Sequence, residues 1–124
     1  MDAEPAWLIE TPDYEGTPIV LAQATWHTKV TAHPEISDYL ADVKNAIQQP
    51  HFVFQSTRDE RARVFYRLSV GRGQWQGKHL VLVVKYLLEN DKRRGYISTI
   101  YLSRAVYSRG ELLWKSTELI LPSE

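Results

Sequence analysis

Apolar residues along this chain recur first at helical spacing and then in alternation. Between Ala24 and Pro50, Trp26, Val30 and His33 share one helical face. Ile36, Leu40, Val43 and Ile47 form a second stripe, while Asp38, Asp42 and Lys44 point elsewhere. The two patterns meet at His33-Pro34-Glu35. Proline lacks an N–H and crowds the turn before it, so Pro34 ends the first helix and suits the first turn of the next. Pro50 stops the second. The pattern thus predicts one helix from about Ala24 and another running to about Gln49, with His33 at their corner, two residues from Glu35.

Beyond His51 the period changes to two. Phe52-Val53-Phe54 is a strand signal, and Arg63 to Ser69 sets Val64, Tyr66 and Leu68 against Arg63, Phe65 and Arg67. Leu80 to Leu88 is almost wholly apolar and rich in β-branched residues, as in a central strand covered on both faces. Tyr96 to Leu102 sets Ile97, Thr99 and Tyr101 against Tyr96, Ser98, Ile100 and Leu102, and Leu112-Leu113-Trp114 adds a short last strand. The links are polar: Thr57 to Glu60, a loop from Gly71 to Gly77, and a basic turn from Asn90 to Gly95 with Gly95 as its pivot. They are too short for crossover helices, so antiparallel pairing is expected.

Trp7-Leu8-Ile9 and Pro18-Ile19-Val20-Leu21 flank a turn-rich PDYEGT, so residues 1–22 read as an arm or short hairpin, and 116–124 as a tail. The expected fold is α+β: two N-terminal helices packed on one face of a four- or five-stranded antiparallel sheet, in a single domain spanning 1–124. The covered face is assigned Val64, Leu68, Leu80, Leu82, Val84, Ile100 and Leu102, and the opposite face Arg63, Arg67, Lys85, Thr99 and Tyr101.

Composition narrows the function classes. The chain has no cysteine, which excludes a disulfide framework and a thiolate zinc site. Its apolar runs are too short to span a membrane, and the acidic start MDAEPAWLIE lacks the basic-then-apolar order of a signal peptide, so a cytoplasmic protein is expected. Net charge is zero, but residues 51–110 hold twelve Lys and Arg against four Asp and Glu, a balance of +8. Residues 1–50 stand at −6, from two cations against eight anions. A basic block between acidic ends either attracts phosphate or is neutralised within the fold.

Several of these segments together carry a resemblance. The run Trp26-His27, Val30, His33-Pro34-Glu35, with its helix ending at Pro50, resembles a phage-associated nuclease-like family of the barnase–EndoU–colicin–RelE (BECR) fold. The Phe-Tyr-Arg strand to Arg67, the Val-Val-Lys strand to Lys85 and the Ser98-Thr99-Ile100-Tyr101 strand are similar to it as well, over roughly residues 20–115. Ile100 stands where that family usually has alanine, and Ala22 where a capping threonine is common. The resemblance implies helices on an antiparallel sheet and metal-independent RNA cleavage, in a toxin-like or phage-derived protein with RNA as substrate and an immunity or antitoxin protein as partner.

The residues suit that chemistry. RNA cleavage by 2′-OH attack without a metal needs an acid/base near neutral pKa and cations around the phosphorane. His33 fits the first role, and Arg67 and Lys85 the second, with Thr99 and Tyr101 as hydrogen-bond donors. Glu35 and Arg63 extend the set. No cofactor or metal is expected, since His27 and His33, six apart, do not share a helix face. Each residue also has a plain role. His33 suits the carbonyl end of a helix, Glu35 the N-terminus of the next, and the arginines a solvated strand face. Lys85, inside an apolar strand, must snorkel or find a partner. The alternative function is therefore a non-catalytic nucleic-acid or protein binding domain on the same scaffold.

Overall fold

A computed structural model gives the fold and describes residues 7–107 and 109–117; Met1–Ala6 of the expected arm and 118–124 of the expected tail lie outside them. The chain runs β1 (Trp7–Pro12), β2 (Pro18–Ala22), α1 (Gln23–Ala32), a 3-10 turn (Pro34–Asp38), α2 (Leu40–Gln48), β3 (Phe52–Gln55), β4 (Ala62–Arg67), β5 (His79–Glu89), β6 (Lys92–Ser103) and β7 (Leu112–Lys115). Among the described residues, the seven strands form one sheet in the order β1-β2-β6-β5-β4-β3-β7.

This corrects the expected architecture in three ways. The described sheet has seven strands, not four or five. It is mixed, because β2 pairs parallel with β6 through Ile19↔Gly95 and Val20↔Tyr96. The helices do not precede all the strands but come after the β1–β2 hairpin, which is built into the sheet. The short polar links between later strands do enforce antiparallel pairs, but β2 and β6 are separated by the helical segment and by β3 to β5, a connection long enough to bring them together in parallel.

Pro34 does end α1, and the cap N–H of His33 bonds back to the carbonyl of Lys29. Beyond Pro34 the chain makes one 3-10 turn and then α2, instead of a single helix. The break falls at Tyr39, a buried residue whose hydroxyl accepts the N–H of Arg72 at 2.8 Å. Ile36, Val43 and Ile47 of the predicted stripe are fully buried. They join Ile19, Leu21, Val53, Phe65, Leu80, Leu82, Val84, Ile97 and Ile100 in the main core, between helices and sheet.

Two alternations read from the sequence are shifted. In β4 it is Phe65 that enters this core, so Arg63 and Arg67 lie on the helix side while Val64 and Tyr66 face the other way. Both faces of β4 are apolar: Val64, Tyr66 and Leu68 pack in a second, smaller cluster with Phe54 and Val81, so alternation alone does not say which face the helices cover. In β6 the register slips between Val83↔Thr99 and Val84↔Ile97, leaving Ser98 as an extra residue. That bulge lets Ile97 and Ile100 both enter the core although they are three apart.

The basic turn also differs. Its two central residues are Asn90 and Asp91, at φ 54° and 65°, closing Glu89 against Lys92 as a two-residue hairpin turn. Gly95 is instead a buried strand residue at the crossing with β2. A Cβ there would collide with Ile19 Cδ1 and stand 2.8 Å from Val84 Cγ1, both on fully buried side chains.

A buried carboxylate pins the hairpin to the sheet. Asp13 Oδ1 accepts the N–H groups of Glu15 and Thr17 at 2.8 and 2.9 Å, and Asp13 Oδ2 accepts the Tyr86 hydroxyl at 2.7 Å. Burial, reinforced by that bond, pushes the Tyr86 phenol far above its usual range, so it remains the donor. The adjacent Tyr14 ring reaches Phe65 of β4 and Trp114 of β7, with centroids 5.7 and 5.2 Å away. The hairpin turn therefore touches the strand at the opposite edge.

The packing is open to two tests. Gly95→Ala should destabilise the fold by about 1–3 kcal/mol, as overpacking a closed core does, measured by urea unfolding; an unchanged midpoint would mean that β2 and β6 are not held this closely. The second test concerns His79, whose Nδ1 accepts the N–H of Ser69 at 3.0 Å. Burial lowers its pKa below the ordinary histidine value. The stability tied to neutral His79 is thus fully present above about pH 6.5 and is lost as pH falls through the depressed folded value. His79→Asn keeps an acceptor but cannot titrate, and should flatten the fall in unfolding midpoint below that pH; an identical slope would contradict the assignment.

Candidate functional site

The helices cover one face of the sheet, and the other carries a groove. After β6 the chain crosses this open face to reach β7 at the far edge. Val106 packs on the Phe54–Tyr66–Val81 cluster, the N–H of Tyr107 donates to Tyr66 Oη at 3.1 Å, and the N–H of Gln55 donates to the carbonyl of Glu111 at 2.8 Å. Gly110 lies so close to β3 that a Cβ there would collide with the carbonyl oxygen of Gln55. The resulting strap walls a groove of about 630 Å³. Its floor is Val64, Tyr66, Val83, Lys85, Thr99 and Tyr101, and its rim includes Arg58, Asp59, Tyr107 and Arg109.

Strand parity explains the floor. Lys85 lies on the face opposite Val84 and Tyr86, and the β6 bulge keeps Thr99 beside Val83 on that same face. Lys85 finds its partner in Asp59, with Nζ 3.3 Å from Oδ2 and both side chains partly exposed. Asp59 is set by its own turn. Its Oδ1 accepts the N–H of Arg61 at 2.9 Å, and Ser56 Oγ accepts the N–H groups of Arg58 and Asp59 at 3.1 and 3.3 Å. The Arg61 N–H first, and then Lys85, hold the Asp59 carboxyl below its usual range. Burial raises the Tyr101 phenol, with Tyr66 and Tyr107 adding to the effect and Arg58 opposing it. Tyr101 therefore presents a protonated hydroxyl at neutral pH.

His33 and Glu35 lie elsewhere. His33 Nδ1 is 3.4 Å from Glu35 Oε2, and both border a smaller hollow of about 300 Å³ against β6. Its far wall is Thr99, Ile100, Tyr101 and Leu102. The hollow exists because β2 leaves β6 after Val20↔Tyr96 and continues as α1, so the later part of β6 meets helix instead of strand. Thr99 and Tyr101 line both hollow and groove.

The arginines of β4 are on the helix side. Arg67 Nη1 donates to the carbonyl of Gln49 at 2.7 Å, at the C-terminal end of α2. Arg63 Nη1 donates to Tyr14 Oη and Glu15 Oε1, each at 2.7 Å, and its guanidinium lies 4.9 Å from the Tyr86 ring centroid. Of the residues expected at one site, Lys85, Thr99 and Tyr101 converge in the groove, and His33 and Glu35 adjoin Thr99 and Tyr101. Arg67 and Arg63 face away, bound to the helix end and the hairpin turn. Arg58, Tyr107 and Arg109 are not legible from hydrophobic pattern, since they lie on a turn and a strap without periodicity. The glycine in Arg109-Gly110 was the available signal of a close backbone approach.

The strap's placement can be tested directly. Gly110→Ala should push it off β3 and strip hydrogen-exchange protection from the Tyr107 amide, while the amides of β5 keep theirs. Retained protection at Tyr107 would show that the strap does not depend on this contact.

No family model, no curated protein and no solved structure matches this chain.

Proposed function

We propose that the protein binds single-stranded RNA in the groove on the open face of its sheet. The observation that carries this reading is the grouping of three cations, Arg58, Lys85 and Arg109, with Tyr101 and the exposed Tyr107 around one groove. Cations and aromatic rings in one channel suit a single strand, whose phosphates take the charge and whose bases stack. The groove's volume falls in the range of ligand-holding clefts. Thr99 and Tyr101 supply hydroxyl donors to phosphate oxygens. The resemblance to the BECR nuclease-like family supports RNA over DNA.

A second reading adds metal-independent cleavage, and one observation favours it. His33, beside Glu35, sits across the edge of β6 from the groove, with Thr99 and Tyr101 as the shared wall. A strand drawn over that wall brings a 2′-OH toward His33 as acid/base, while Lys85 and the groove arginines hold the phosphate. Arg67 takes no part in that arrangement, since it is committed to Gln49. An immunity or antitoxin partner belongs to this second reading alone.

Binding of a labelled oligoribonucleotide should weaken with salt. Lys85→Ala and Arg109→Ala should each lower the slope of log affinity against log salt by about 0.7, the loss of one single-strand phosphate contact. Affinity that is insensitive to salt and to both substitutions would overturn the proposal. Under the cleaving reading, wild-type protein releases products ending in 2′,3′-cyclic phosphate, with or without chelator. His33→Ala abolishes this without loosening binding. Intact RNA after prolonged incubation would leave binding as the function.

A further inference from the structure

Lys85 is the groove's central cation, and it is already occupied. Asp59 Oδ2 lies 3.3 Å from Nζ, on the side of the groove where the Ser56–Arg61 turn overhangs it. The two partners differ in freedom. The lysine has a long flexible stem and a 39% exposed side chain. The aspartate is fixed by a turn that does not involve Lys85. Its Oδ1 holds the Arg61 N–H, its backbone carbonyl accepts the N–H of Ala62 at 2.9 Å, and the Gln55 side-chain amide sits 3.1 Å from the carbonyls of Glu60 and Ala62. Arg61 Nε stands 3.9 Å from Oδ1, so the carboxylate stays partly neutralised when the lysine moves.

We infer that Asp59 is a built-in phosphate mimic. It pairs with Lys85 in the free protein, and the lysine must leave it to meet an incoming phosphodiester, so that only a ligand with further contacts binds. This rests on the RNA-binding reading and adds a selectivity to it. A free phosphate meets a carboxylate already seated at Lys85 and held there by the protein's own backbone, and the two anions repel. A strand that also reaches Arg58, Arg109 and Tyr107 offsets that cost through several contacts at once. The groove thus takes polymer in preference to inorganic phosphate or mononucleotide, and Asp59 sets that preference without touching the bound strand.

Asp59→Asn is the informative variant. It keeps Oδ1 as acceptor for the Arg61 N–H, and with it the turn, but removes the charge. The probe is a fluorescent 2′-O-methyl oligouridylate, which cannot be cleaved by 2′-OH attack. Asp59→Asn should tighten its binding about threefold to tenfold, the scale of a partly exposed ion pair plus relieved repulsion. In a Lys85→Ala background the same substitution should tighten binding clearly less than in the wild-type background, because the ion-pair part of the effect runs through that lysine and only the direct repulsion remains. Inorganic phosphate should compete with the probe on Asp59→Asn at several-fold lower concentration than on wild type. Equal tightening in both backgrounds would reduce Asp59 to a general repulsive charge and overturn the inference. So would unchanged or weaker binding by Asp59→Asn, and if Lys85→Ala alone still weakens binding, RNA recognition by the groove survives that result. If neither wild type nor Asp59→Asn binds the probe, the RNA reading falls and the inference with it.

Discussion

One buried carboxylate decides where the two ends of the sheet go. Asp13 has three donors: two backbone N–H groups of its own turn and the hydroxyl of Tyr86, which reaches it across 73 residues of sequence. An unpaired charge at that depth would cost far more than any single hydrogen bond returns, so all three must be present together. Their joint requirement draws the β1–β2 turn inward over the end of the sheet. Arg63, under the same turn, bonds Tyr14 and Glu15, and its guanidinium lies against the Tyr86 ring. The contact of Tyr14 with Trp114, which joins opposite edges of the sheet, is a result of this folding-in. The hairpin can then run parallel to β6 for two residues before turning into helix, and the hollow that holds His33 opens at that departure.

Much of the local structure was legible because it is written in periodicity. The proline stop at Pro34 follows from proline's own backbone chemistry, and the burial of Ile36, Val43 and Ile47 and of the apolar run of β5 from side-chain spacing. What spacing does not carry is pairing between distant segments. Nothing in Pro18–Ala22 says that it will lie parallel to Gly95 and Tyr96, and Gly95, which resembles a turn residue, is in fact the space into which Ile19 fits. The two faces of β4 differ for a related reason: both are apolar, with Phe65 packing under the helices and Val64, Tyr66 and Leu68 in the cluster on the open face, and only the pairing of distant segments decides between them. Ser98 hides a bulge, and a bulge changes the parity of every residue beyond it without altering composition.

The candidate site obeys the same division. Lys85, Thr99 and Tyr101 sit on regular strands, and their shared face could be read from alternation, given that β5 and β6 are neighbours. The same logic assigns Arg63 and Arg67 to that face, but the parity of β4 is reversed, and they serve instead as internal donors to Gln49, Tyr14 and Glu15. The +8 balance of residues 51–110 is accordingly divided between the two sides of the sheet. Part of it is neutralised by the acidic N-terminal segment through Arg63–Glu15, Arg72–Asp42 and Arg94–Glu10. The other groove cations, Arg58 and Arg109, come from a turn and a strap, where backbone contacts such as Gly110 on Gln55 decide position.

That the groove wall comes from residues beyond β6 bears on how the molecule is made. A chain emerging from the ribosome in order has β1 to β6, both helices and nearly all of the helix-side core available before the strap and β7 appear. At that stage the open face is a bare sheet bearing Phe54, Tyr66, Val81 and Tyr101, with β3 still an unpaired edge. The last segment then covers the apolar cluster with Val106, satisfies the Tyr66 hydroxyl and pairs with β3 in one stroke. The groove is thus acquired only once the strap and β7 have joined the sheet, later than the helix-side core.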